Sequence, residues 1–168
     1  MGRVMVPARM PFAAAPSVAT LPYTAGQAFL KGAVLVYDVG GNAGNVIEGA
    51  ANPAAIVGVA LEAPASKPGF AVNFDATVVA RTGTVTKVSL ARADRLTIFS
   101  ARMVNGGTDP VTPATTDVGV AYGILKTGAG EWVVNQADVT TTRVRIVAID
   151  PTLSVVFFKF LEANLASP

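Results

Sequence analysis

Between Asp117 and Leu161 four short β-like runs follow one another with only turns between them: Val118 to Leu125, Glu131 to Asn135, Thr142 to Ile149 and Val155 to Leu161. Glycines or a proline mark two of the three turns, and no window carries the 3.6-residue periodicity of an amphipathic helix, so an antiparallel sheet is the economical reading. Alternation puts Val118, Val120, Tyr122 and Ile124 on one face of the first run, with Gly119, Ala121 and Gly123 on the other. The small-residue face invites close approach by a neighbouring element, and Trp132 is the side chain that fits there. Arg143 and Arg145 share a face before their run turns apolar on both sides at Val147 and Ile149, and Val156, Phe158 and Phe160 form one apolar row.

The same grammar extends back to Ala25. Val34–Tyr37 and Ile56–Leu61 read as strands, the cluster from Asp38 to Asn42 as a turn, and Asn52-Pro53 as the cap of a single helical turn. Phe70, Val72 and Phe74 alternate into Val78-Val79 as a half-buried strand. Thr84–Leu90 and Arg95–Phe99 read likewise, with Leu96 and Ile98 inward. The stretch 105–116 carries turn-formers and small polar residues, and reads as a long surface loop. Turn signals recur at the 8–12-residue spacing of sandwiches and barrels. The fold class expected is all-β, an antiparallel β-barrel or sandwich with an extended N-terminal arm.

That arm is residues 1–23, and residues 24–168 form a single β domain. Pro7, Pro11, Pro16 and Pro22 interrupt any helix, and Pro11 and Pro16 also break the Ala-rich run that imitates a signal peptide after Arg3 and Arg9. No run of 18 apolar residues is present to span a bilayer as a helix, so no membrane partner is expected. Phe12 and Tyr23 are aromatics in or beside a patternless segment, and read as anchors for a partner's pocket. Thr108, Pro110 and Pro113 in the long loop complete the candidate partner-binding residues.

Composition narrows the chemistry. The 168 residues include no histidine and no cysteine, which removes the commonest general base, the commonest transition-metal ligand, and any disulfide framework. A catalytic site, a cofactor and a metal are therefore not expected. Asp109, Asp117, Asp138 and Asp150 lie near turns and read as turn caps rather than calcium ligands, for want of an alternating acidic loop. Glu48, Glu62, Asp75 and Glu131 show no spacing that selects a carboxylate pair. The net charge of +2 comes from scattered Lys and Arg, which disfavours nucleic acid. Charged residues make up 14% of the chain against about 25% in an average one, and apolar residues 51%. A partner is the simplest cover for so neutral a surface.

The order Asp117-x-Gly119-x-x-Tyr122-Gly123, then Gly130-x-Trp132-x-Val134, then Arg143-Val144-x-Ile146-Val147 and a Phe-rich strand ending in Phe160-Leu161 resembles the C-terminal half of tailed-bacteriophage capsid cement (head decoration) proteins. Ala25 to Phe29, Lys31 to Leu35, Asn52-Pro53 and Ile56 to Ala60 are similar to their opening hairpin. The resemblance implies a non-enzymatic virion protein that sits on the outer surface of the capsid, commonly as a homotrimer, and bridges adjacent subunits of the major capsid protein. The arm and the Thr-Pro loop at 108–116 have no counterpart in that pattern. A carbohydrate-binding β-sandwich module is the alternative expected, should Trp132 and Tyr122 face solvent.

Overall fold

In the computed structural model, residues 5–7, 16–40, 42–64 and 87–166 are described. They form eleven strands and two 3-10 turns, with strands β1 (Val6–Pro7), β2 (Val18–Pro22), β3 (Val34–Tyr37), β4 (Val46–Glu48), β5 (Ile56–Ala60), β6 (Lys87–Arg92), β7 (Phe99–Val104), β8 (Ala121–Lys126), β9 (Trp132–Asn135), β10 (Val144–Asp150) and β11 (Val155–Phe160). The protein is all-β, as the sequence pattern requires. Among the described residues no helix is long and apolar enough to cross a membrane.

The strands divide into two sheets. In the C-terminal sheet the order is β7-β11-β10-β8-β9, and a parallel pairing of β9 back onto β7 closes it into a five-stranded barrel. Every other pairing within that ring is antiparallel. Strand β1 lies outside the ring, antiparallel to β7, with Val6 opposite Ser100. The N-terminal sheet runs β2-β6-β5-β3-β4. Its two ends meet at one parallel bridge, Tyr23 to Val46, where the Thr24 N–H donates to the Val46 carbonyl at 3.1 Å.

Pattern and burial agree over most of the closing segment. Val156, Phe158 and Phe160 are all buried, and Phe158 and Phe160 meet Phe99 with ring centroids 6.1 and 5.1 Å away. Gly123 does face a close neighbour, but the nearest atoms belong to Asp138 and Asn52 and not to Trp132: a Cβ there would stand 2.5 Å from Asp138 Oδ2 and 2.8 Å from Asn52 Oδ1. Trp132 lies 1% exposed in the core.

Three local expectations are corrected. Leu96 is 63% exposed, and Thr97 and Phe99 point inward instead. The Asp94 carboxylate accepts hydrogen bonds from the Leu96 and Thr97 N–H groups, which prolongs the turn, and the Phe99-Ala101-Met103 row then sets the phase of β7. Val147 and Ile149 are only half-buried because a bulge between Ile146 and Ala148 shifts the register of β10 against β11. Asn52 caps no helical turn. It takes a left-handed backbone with φ 50°, and its side chain works across the molecule.

The first 23 residues contribute more than an appendage. β2 pairs with β6 over all five of its residues, from Val18 opposite Ala91 to Pro22 opposite Lys87. Met5, beside β1, is 1% exposed and belongs to the common core. The strand expected at Phe70–Val79 lies outside the described residues.

Candidate functional site

The candidate partner-binding residues scatter over the molecule. Phe12 lies outside the described residues. Tyr23 turns to its own chain, edge-on to Phe29 with centroids 6.0 Å apart, and is half-buried at the closing bridge of the N-terminal sheet. The cause is local: Tyr23 continues the inward row of Ala19 and Leu21, so alternation in β2 points it at the core. Pro113 is buried as well, while Thr108 and Pro110 are exposed. Pro110 bridges to Val104, and the Val111 N–H donates to the Met103 carbonyl, so the loop lies along the end of β7 instead of standing free.

Asp117 anchors the far end of that loop. Its Oδ2 accepts from the Ala114 N–H at 2.7 Å, and its Oδ1 accepts from the Tyr122 hydroxyl at 2.7 Å and from Gln136 Nε2 at 3.0 Å. Burial pushes this carboxyl up, but the three donors outweigh it and hold the group below the usual carboxylate range. Tyr122 is pushed up to about 12 by burial first, then by its hydrogen bond to Asp117 and by that residue's charge. At neutral pH the pair is therefore a carboxylate and a neutral phenol, each committed to the other. This suits an anchor, not a proton shuttle.

A second polar group joins the two sheets. The loop between β4 and β5 meets the loop between β9 and β10, where Asn52 Nδ2 donates to Asp138 Oδ2 at 2.6 Å and Asn52 Oδ1 accepts from the Ile124 N–H at 2.6 Å. Arg143 Nε donates to the Asn52 carbonyl at 2.9 Å. Asp138 also caps its own turn through the N–H groups of Thr140 and Thr141, and the Thr141 bond is the main reason its carboxyl titrates lower than usual. Close by in sequence, Glu48 at the end of β4 accepts from Trp132 Nε1 at 2.9 Å and from Lys126 Nζ at 2.6 Å. The indole N–H thus has its partner inside the chain, and Trp132 and Tyr122 are both buried, so neither forms a surface platform for a sugar ring.

The other acidic residues are engaged in the same structural way. The Asp150 carboxylate accepts from the Leu153 N–H and the Glu62 carboxylate from the Ser89 N–H, whereas at Asp109 it is the backbone carbonyl that accepts, from the Asn105 N–H. Glu131 pairs with Arg102 at 2.7 Å, leaving Glu131 Oε1 and Arg102 Nε buried without a hydrogen bond. Asp75 lies outside the described residues.

Sequence reasoning overlooked Glu48 and Asn52 as the joint, and Met5 as a core residue. Asn52-Pro53 was the available signal, since an Asn held rigidly before a proline is a fixed donor and acceptor whether or not a helix follows.

The fold and site together define an all-β protein of two tied sheets whose strongest polar contacts are spent on holding its own parts in register. Comparison with known proteins finds no matching family model, no matching curated protein and no matching solved structure.

Proposed function

We propose that the protein is a virion structural protein, a cement protein that binds the outer face of an icosahedral phage head and clamps neighbouring subunits of the major capsid protein, with the homotrimer as its working form. The observation that carries this reading is where the cement-like motif order lies. Gly119, Tyr122, Gly123, Trp132, Val134, Arg143, Val144 and Ile146 belong to one closed barrel and its turns, with Tyr122, Trp132, Val134, Val144 and Ile146 buried. A rigid, largely neutral module suits a part that must resist strain without changing shape. Such a protein needs only weak contacts per copy if several engage the shell together.

The test is addition of the purified protein to expanded heads built from the major capsid protein of the same virus. The expected result is saturable decoration of the outer surface in multiples of three and a higher temperature of DNA release. Heads that stay bare at saturating protein overturn the proposal.

A further inference from the structure

Among the described residues the two sheets share one strand order. Pairing β2 with β7, β3 with β8, β4 with β9, β5 with β10 and β6 with β11 converts the order β2-β6-β5-β3-β4 into β7-β11-β10-β8-β9 without a single exchange. Orientations match as well: the closing contact is parallel in both, and the other four are antiparallel in both. Even the joint obeys the correspondence, since Asn52 lies in the β4–β5 loop and its partner Asp138 in the equivalent β9–β10 loop.

The correspondence fixes residues on the first strand of each ring. Tyr23 meets Val46 at the closing bridge and Met103 meets Val134, so Tyr23 matches Met103, and Thr20 matches Ser100 three residues earlier. The inward rows then coincide, Ala19-Leu21-Tyr23 with Phe99-Ala101-Met103. On β7 the edge that closes the ring at Val104 also seats β1 further back, where Val6 lies opposite Ser100 and Met5 is buried beside it. On β2 the same edge closes at Thr24, but no described strand lies on it from Val18 to Pro22. Val18 is 60% exposed there and Thr20 is exposed. Val-Ala-Thr-Leu-Pro carries no charge to guard an open edge, and only Pro22, at one end, withholds a donor.

We infer that the outer edge of β2, on which no described strand lies, is a strand-acceptor site, the counterpart of the seat that β1 occupies on β7, and that it takes a short, extended, uncharged segment of a partner protein by antiparallel strand addition. Backbone hydrogen bonds supply the attraction, and an apolar side chain one residue ahead of the pairing position, as Met5 stands ahead of Val6, supplies the anchor. The inference stands on the shared strand order and does not require the partner to be a shell protein.

The chain has no cysteine, which makes the test direct. An end-blocked, uncharged peptide of residues 4–8 carrying Val6→Cys, activated as a mixed disulfide, is added to full-length protein bearing Thr20→Cys, with Thr112→Cys in the exposed loop as the reference. The expected result is coupling at position 20 at least about tenfold faster than at 112, with the advantage lost for a peptide that also carries Met5→Asp. Equal rates at the two positions overturn the inference. So does a Thr20→Cys protein that cross-links to itself, or whose position-20 amide is already protected from hydrogen exchange without peptide, because the edge is then taken by a second copy or by the chain's own residues. Circular dichroism of both variants verifies that the exposed substitutions leave the fold intact.

Discussion

The two rings share a topology and differ in how firmly they close. The C-terminal ring is sealed by a two-residue parallel ladder, Met103 to Val134 and Val104 to Asn135, backed by the Gln136 N–H on the Val104 carbonyl at 2.8 Å. The N-terminal ring has one bridge, and the next donor along β4, the Glu48 N–H, is met by the Gln27 side chain at 3.2 Å, where a strand would have offered a carbonyl. Interiors differ in the same sense. Within the common core, the C-terminal strands contribute Phe99, Phe158, Phe160 and Trp132, while the N-terminal half contributes mainly Val34, Leu35, Val59, Val88 and Leu90, with Phe29 and the half-buried Tyr23. One strand order is thus compatible with a heavily aromatic filling and an aliphatic one, because the ring specifies which positions face inward and leaves their volume to be shared among neighbours.

The largest effect is expected at the tightest point of the weaker ring. A methyl group on Gly58 would collide with the Ala91 carbonyl oxygen of the paired strand, which is backbone and has nowhere to swing. Gly58→Ala is expected to cost more than about 3 kcal/mol, beyond the usual range for an overpacked site. The next closest approach, at Gly123 in β8, is against the side chains of Asp138 and Asn52, which can turn aside, so Gly123→Ala should cost less. Urea unfolding of the two variants ranks them, and an equal or reversed order would break the account of the rings.

Next is the joint. Asn52→Ala strands the Ile124 N–H and one oxygen of Asp138, for an expected loss of about 1–3 kcal/mol. Because Asn52 links the two rings, the loss should separate their melting transitions, the N-terminal ring going first. Calorimetry reads this as two peaks in place of one. A single peak that merely moves down would mean the rings are held together elsewhere, through Glu48 with Trp132 and Lys126 or through the shared core.

The smallest effect is confined to the C-terminal ring and to extreme pH. Tyr122 is raised in the folded state, so its contribution is fully present below the ordinary tyrosine value near 10 and fades as pH rises toward about 12. Tyr122→Phe should flatten the fall in stability between those values while lowering stability at neutral pH by about 1 kcal/mol through the lost hydrogen bond to Asp117. The opposite sign holds for Asp117: its carboxyl is depressed, so its share is present above the usual aspartate value and is lost as pH falls through the folded one. Denaturant midpoints against pH for wild type and Tyr122→Phe test both limbs.

Much of the C-terminal ring was legible because each of its strands carries its own instruction. Alternation put Val156, Phe158 and Phe160 on one face, Gly128, Gly130 and Pro151 marked two of the turns, and the small face of β8 announced a close neighbour at Gly123. Where alternation was ambiguous the reading slipped, as at Leu96, where an Asp side chain gathering two backbone donors moved the start of β7. The partner residues were legible only as aromatics, prolines and a threonine in irregular segments. Tyr23 and Pro113 proved to be packed by their own chain, and sequence offers no local sign that separates an aromatic awaiting a partner from one already supplied.

By itself the sequence determined the all-β class and most of the strands from Ala121 onward, since these follow from the period of apolar residues and the punctuation of turns, while the burial of Trp132 was settled by the structure. The tertiary structure decided that the strands form two rings of one design, that β2 and Met5 belong to them, and that Asn52 ties corresponding loops together. The reason is that ring order depends on pairings between residues far apart in the chain, such as Tyr23 with Val46 or Asn52 with Asp138. Backbone hydrogen bonds make those pairings without regard to side-chain identity, so two copies of one topology need share no residues that a reader could align.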